Sequence, residues 1–236
     1  MSDEESIQHL LTVLRDSVND AADQEAVERN LLRFGKAATP ALTQALKVEP
    51  RNPAWRIAWL LGELRDPDAV PALTEALDGH PEDDVRAEAA AALGKIGATG
   101  ALGALMRAGG KDERSEYVRI RAVVALGRIG SDVAAPVLLE ALAEEGQLRH
   151  EAIEALGRVG AIDAVPEFVR ALRDPDNLCR AKAAQALAAV GARDALDDLK
   201  GALGDEEDEW ARGEMLNALK AMETATAKGR WWEFWK

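Results

Sequence analysis

Apolar residues recur through most of this chain at the 3.6-residue spacing of an amphipathic helix, in segments too short to stand alone. The pattern is cleanest from Leu148 to Leu172. There Leu148, Ala152, Ile153 and Leu156 form one apolar stripe and Val165, Phe168, Val169 and Leu172 a second, with Gly160 and Pro166 between them. With Leu156 as an anchor, the same arrangement returns at Leu31, Leu61, Leu93, Leu126, Leu187 and Leu219, 30 to 33 residues apart. A fixed period in this range predicts stacked repeats, each a helix pair (A then B) that buries its apolar face only against its neighbours.

The residues around the anchor repeat with it. Gly35, Gly97, Gly130, Gly160 and Gly191 stand four positions after it, where a left-handed cap is expected to end helix A. Asp68, Asp163 and Asp194 stand seven after and are expected to N-cap helix B. Pro71, Pro136 and Pro166, ten after, fit that helix's first turn, where a missing N–H removes no helical bond. Gly62, Gly94, Gly127 and Gly157 follow the anchor directly, and Ala92, Ala125, Ala155, Ala186 and Ala218 precede it. These alanines are expected to let the two helices of a repeat approach closely.

A polar column lies seven positions before the anchor: Arg86, Arg119, Arg149, Arg180 and Arg212. It follows the repeat rather than one locus. That points to a structural ladder, each guanidinium bonding loop carbonyls or an Asp of its own or an adjacent repeat, ahead of a ligand-binding row.

Three regions follow. Residues 1–22 hold a capping helix from Ser6 to Val18, residues 23–222 the repeats, and residues 223–236 a Trp-rich tail. In the second repeat Trp55 and Trp59 are four apart and share a helical face. Gap-filling by these two is favoured over a binding surface. The polar insert 109–116 reads as a mobile loop, and the seventh repeat shows only its helix A.

The stretches VRAEAAAALGKIG, VRIRAVVALGRIG and RHEAIEALGRVGAIDAVPEFVRAL resemble HEAT repeats. More narrowly, they resemble the short, Ala/Gly-rich subtype first associated with phycobilin lyases. The resemblance spans about residues 23 to 222. It implies an all-α, right-handed α-α superhelix of about seven helix-pair units. It is specific for fold and poor for function, because the subtype occurs in lyases, a hydroxylase and many plain scaffolds.

A non-enzymatic protein–protein interaction scaffold is the primary reading. A phycobilin-lyase-related role, in chromophore attachment or its regulation, is the alternative. Third is a di-iron hydroxylase, since His150-Glu151 resembles the His-Glu motif of deoxyhypusine hydroxylase. The equivalent positions are Ala87-Glu88, Ile120-Arg121, Ala181-Lys182 and Gly213-Glu214, and the chain has three His, too few for a His-rich site within one subunit. No catalytic residue, metal ligand or cofactor is therefore assigned. The glycines punctuate helices rather than cradle phosphate.

Composition narrows the partners. The net charge of −13 and pI near 4.8 argue against a general nucleic-acid binder. Acidic, Ala-rich composition with 20 Arg and 9 Lys resembles that of salt-loving archaeal proteins. The single cysteine, Cys179, falls in the column of Val85, Val118 and Leu148 and reads as core. A lone thiol, the lack of a signal-peptide pattern and the lack of a membrane-length apolar run together suggest the cytoplasm.

What remains is surface. In HEAT-type solenoids helix B lines the concave side. Three positions past the Pro column stand Thr43, Thr74, Met106, Leu139, Val169 and Lys200. Met106, Leu139 and Val169 are the apolar centre, and Glu140 and Arg170 give the rim mixed charge. This predicts a groove for a protein partner's helix or extended segment. The tail adds Trp231, Trp232, Phe234 and Trp235, flanked by Lys228, Arg230 and Lys236. It could cover the end of the stack, dock into a partner, or touch a membrane peripherally.

Overall fold

The computed structural model describes residues 2–16, 21–48 and 54–228. Among these every regular element is a helix, and there is no strand. α1 (Asp3–Asp16) precedes six helix pairs: α2 (Ala21–Arg33) with α3 (Thr39–Val48), α4 (Ala54–Leu64) with α5 (Val70–Gly79), α6 (Asp83–Ile96) with α7 (Leu102–Gly109), α8 (Glu116–Ile129) with α9 (Ala135–Leu142), α10 (Gln147–Val159) with α11 (Val165–Ala171), and α12 (Asn177–Val190) with α13 (Leu196–Asp205). α14 (Glu209–Lys228) is the seventh helix A. No described helix is long and apolar enough to cross a membrane.

The chain divides into two compact blocks, residues 1–129 and 130–236. In each block helix A packs on the next helix A: α4 on α6 and α6 on α8 in the first, α10 on α12 and α12 on α14 in the second. Each helix B packs on the helix A that follows it, as α5 does on α6 and α11 on α12. The anchors form the spine of this core. Leu31, Leu61, Leu93, Leu126, Leu156 and Leu187 are fully buried. Burying one such side chain contributes about 1.5–3 kcal/mol, so the column supplies much of the drive to stack.

The A-to-B turn follows from two backbone requirements. Gly97, Gly160 and Gly191 end their helices at φ of 73°, 73° and 69°. The N–H groups of Ala98, Ala161 and Ala192 then donate to the carbonyls of the anchors Leu93, Leu156 and Leu187, each at 3.0 Å. This bond satisfies a carbonyl that the helix end would leave open. A single 3₁₀ turn follows, and its alanine (Ala69, Ala101, Ala134, Ala164 or Ala195) is buried in each of the second to sixth repeats. Pro71, Pro136 and Pro166 begin helix B as expected.

One expectation is corrected and another extended. Asp68, Asp163 and Asp194 do not N-cap helix B: they lie exposed within the 3₁₀ turn, and alanine occupies the cap position of the helix that follows. Three of the alanines before the anchors make a contact between repeats beside the one expected within theirs. They face the glycine of the preceding helix A, Ala92 against Gly62, Ala125 against Gly94 and Ala186 against Gly157.

Candidate partner-binding surface

In the second block the helix-B column opens a groove between α9 and α11. Its volume is about 450 Å³, and Leu139, Leu142, Ala143 and Ala171 form its apolar floor. Arg149, Glu167, Arg170 and Asp174 line its walls. Arg149 Nη1 donates to Asp174 Oδ2 at 2.8 Å, and Arg170 pairs with Glu167 on its own helix. Leu139 and Val169 are half-buried, and Glu140 and Arg170 exposed. Of the residues expected to receive a partner, the groove thus unites Leu139 with Arg170. Val169 and Glu140 lie on the same two helices without lining it.

Met106 belongs to the first block. It is half-buried on α7, next in sequence to Arg107, whose Nη2 donates to both oxygens of Asp78 at 2.9 Å. Lys47 pairs with Glu75 at 2.7 Å across α3 and α5. The helix-B surface of this block is therefore bridged by ion pairs. Trp231, Trp232, Phe234 and Trp235 lie outside the described residues.

The arginine column has a recurrent geometry. Arg86 donates to the His80 carbonyl at 3.1 Å and to Glu113 at 3.0 Å. Glu113 in turn accepts the Ser115 N–H at 2.9 Å, so the polar insert is tied to the repeat before it. Arg149 donates to the Glu144 carbonyl at 2.7 Å as well as to Asp174. Arg180 donates to the Asp174 and Pro175 carbonyls and grips both oxygens of Glu206, at 2.6 and 2.7 Å. Arg212 donates to the Glu206 carbonyl at 2.9 Å. Arg119, half-buried, holds the same place on α8. The Arg180 bonds hold the Glu206 carboxyl below its ordinary range despite its burial.

A second charged column was missed. Five positions before the anchors, Arg56, Glu88, Arg121, Glu151, Lys182 and Glu214 alternate in sign through six repeats. Arg121 reaches Glu88 at 2.6 Å, Arg56 pairs with Glu28, Lys182 with Glu154, and Gln185 donates to Glu214 at 2.6 Å. The signal was present in the sequence, as the alternation of one register position. Glu167 and Asp174 were also missed as groove residues. Glu167 had one usable sign, its place three residues before Arg170 on the same helix face. Trp55 is partly exposed with the Arg56 guanidinium 4.5 Å from its ring, and Trp59 is half-buried with Lys95 over it at 5.8 Å.

Helix pairs with a shared turn, stacked A on A, are the architecture of HEAT repeats, and the HEAT-repeat family model matches residues 39–116, 77–147 and 143–220. The chain belongs to the HEAT-repeat family. Among solved structures, it is similar to the complex of CpcE and CpcF of phycocyanin lyase from Nostoc sp. PCC7120, at 25% identity over 77% of this chain and 86% of that one, with a TM-score of 0.60. It is also similar to an engineered protein, at 19% identity over 94% of this chain and 69% of that one (TM-score 0.62), and to a designed armadillo repeat protein, at 17% identity over 78% and 99% (TM-score 0.54). The last two likenesses bear on fold alone. Among curated proteins none matches the chain by sequence.

Proposed function

We propose that this HEAT-repeat chain is a non-catalytic scaffold that holds an extended or helical segment of a protein partner on its helix-B surface, centred on Leu139. The α9–α11 groove carries this reading: its floor is apolar, and its walls present Arg149 and Arg170 with Glu167 and Asp174. Walls of both signs suit a peptide with its own mixed charges better than a polyanion. The test is a display library of random peptides selected on the purified chain. Bound sequences should share an apolar anchor flanked by charge, and Leu139→Asp should abolish their capture while leaving the melting temperature within a few degrees. Selected peptides that bind the variant equally well would reject the groove.

A second reading is a role related to phycobilin attachment. The similarity to the phycocyanin lyase complex, at 25% identity, supports it. Mixing the chain with a free bilin checks it: no absorbance shift eliminates the reading. Trp231, Trp232, Phe234 and Trp235 belong to the scaffold proposal as a second contact. Removal of 229–236 separates their roles. Earlier melting or aggregation marks a cover for α14, where Leu216 and Trp210 are exposed. Loss of partner or membrane binding alone marks an anchor.

A further inference from the structure

In a repeat protein, a side chain that shares its column's character serves the stack. One that departs from its column is free to serve something else. Two departures on the A helices meet. Six positions before the anchor, the third, fourth and sixth repeats carry Ala87, Ile120 and Ala181, buried and apolar, and the first, second and seventh carry Glu25, Trp55 and Gly213, exposed; the fifth, between inner repeats, carries His150. Eight positions before it, Val85, Val118, Leu148 and Ala211 are buried and apolar, whereas the sixth repeat carries Cys179. These two residues face each other across α10 and α12, and Asp176 stands between them. His150 Nε2 lies 3.0 Å from Asp176 Oδ2, and the ligand atoms of His150, Asp176 and Cys179 all lie within 4.8 Å of one another.

We propose that His150, Asp176 and Cys179 form a binding site for a thiophilic divalent cation of the zinc type. The donor set of one imidazole, one carboxylate and one thiol selects a borderline-soft metal over magnesium or calcium, which take oxygen ligands. Tetrahedral coordination at ordinary Zn–S, Zn–N and Zn–O lengths places ligand atoms about 3.3–3.8 Å apart. The Cys179 sulfur therefore closes on the other two groups by roughly 1 Å as the ion enters, while His150 and Asp176 part slightly. A fourth position, for water, completes the tetrahedron.

The surroundings fit such a site. Asp176 Oδ1 accepts the N–H groups of Leu178 and Cys179 at the start of α12, at 2.7 and 3.4 Å, which fixes the carboxylate and aims Oδ2 at His150. Its side chain is 44% exposed, so an ion arrives from that side, while Cys179 is buried behind it. The cation displaces one proton: the sulfur–metal bond forms as the S–H proton leaves to solvent, and the His150–Asp176 hydrogen bond opens to two metal bonds, the imidazole binding through Nε2 with its N–H on Nδ1. Glu151, the neighbour of His150, is not among the ligands. Once bound, the ion ties α10 to the first turn of α12 and so locks the fifth repeat to the sixth, independently of whether a partner occupies the Leu139 groove.

The columns also supply variants that fit the fold. Val stands at the place of Cys179 in two repeats, and Ala at the place of His150 in two, so Cys179→Val and His150→Ala keep the packing. The experiment titrates the purified full chain with Zn²⁺ by calorimetry and with Co²⁺ by absorbance. The expected result is one ion per chain, a sulfur-to-cobalt charge-transfer band, and a melting temperature that rises with Zn²⁺ and falls back with EDTA. Cys179→Val should remove the band, and each variant should weaken zinc binding tenfold or more. Absence of stoichiometric binding overturns the proposal. So does binding that survives Cys179→Val unchanged, the mark of ions held by surface carboxylates on this acidic chain.

Discussion

Gly94 of α6 lies against Ala125 of α8 so closely that a Cβ built on Gly94 would stand 2.7 Å from the Ala125 Cα. The contact is backbone against backbone, so nothing flexible can give way. In an exposed helix interior Gly→Ala gains about 0.8–1 kcal/mol. Here Gly94→Ala is expected to destabilise by about 1–3 kcal/mol, the cost of overpacking. Gly157, where the same distance to Ala186 Cα is 3.1 Å, should suffer less. Urea unfolding followed by circular dichroism measures both. A Gly94→Ala variant as stable as the parent would mean that α8 can slide away from α6 freely.

Arg65 holds the place of Gly97 in the second repeat and adopts φ of 50°, the one positive-φ residue other than glycine among the described residues. A side chain in the left-handed region costs roughly 1–2 kcal/mol. Arg65→Gly should recover about 1 kcal/mol, and Gly97→Ala should lose a similar amount. The pair is a sharp check because the two substitutions run in opposite directions at one register position. If Arg65→Gly lowers the urea midpoint, Arg65 makes contacts that outweigh its backbone strain.

The turn shows where sequence and structure part. The glycine caps and the helix-B prolines were legible because each answers to a single backbone requirement, a positive φ or a missing N–H. Asp163 and Asp194 misled because residues that cap helices also suit 3₁₀ turns, and spacing alone does not say where the turn ends and helix B begins. The Gly94–Ala125 contact depends on which helices become neighbours, and the period carries no record of that. Leu139 and Arg170 were legible as surface positions of one column. Glu167 and Asp174 joined them only when α9 and α11 closed a groove. Comparison of His150 with its own column argued against a site. Its significance appeared once a departure in a second column, Cys179, proved to lie beside it.

The Arg180–Glu206 pair sets an acid limit on stability. Glu206 is buried and bound through both oxygens, and Arg180 holds its carboxyl below the ordinary value. A depressed folded-state value gives a contribution fully present above the unfolded value of about 4.3 and lost as pH falls through the folded one. Asp176 shifts in the same direction: burial pushes it up, but the Leu178 N–H and His150 outweigh that. Stability should therefore fall below about pH 4.3. Glu206→Gln should cost about 3 kcal/mol at neutral pH, as for breaking a buried pair, and should flatten that acid limb. Denaturant unfolding between pH 3 and pH 7 tests both effects. An unchanged limb in the variant would place the acid sensitivity elsewhere.

Salt separates two opposing electrostatic effects. The exposed pairs between repeats, such as Lys47–Glu75 and Arg107–Asp78, are worth about 0–1 kcal/mol each and weaken as salt rises. The net charge of −13 acts the other way, since mutual repulsion destabilises the folded chain and salt screens it. At 1 M salt the screening length is about 3 Å, comparable to one ion-pair distance, so long-range repulsion disappears while close, partly buried pairs persist. The repulsive contribution should win, and the melting temperature should climb from low to molar KCl. A flat or falling series would show that the pairs between repeats outweigh the net charge. It would also count against an origin in a salt-rich cell.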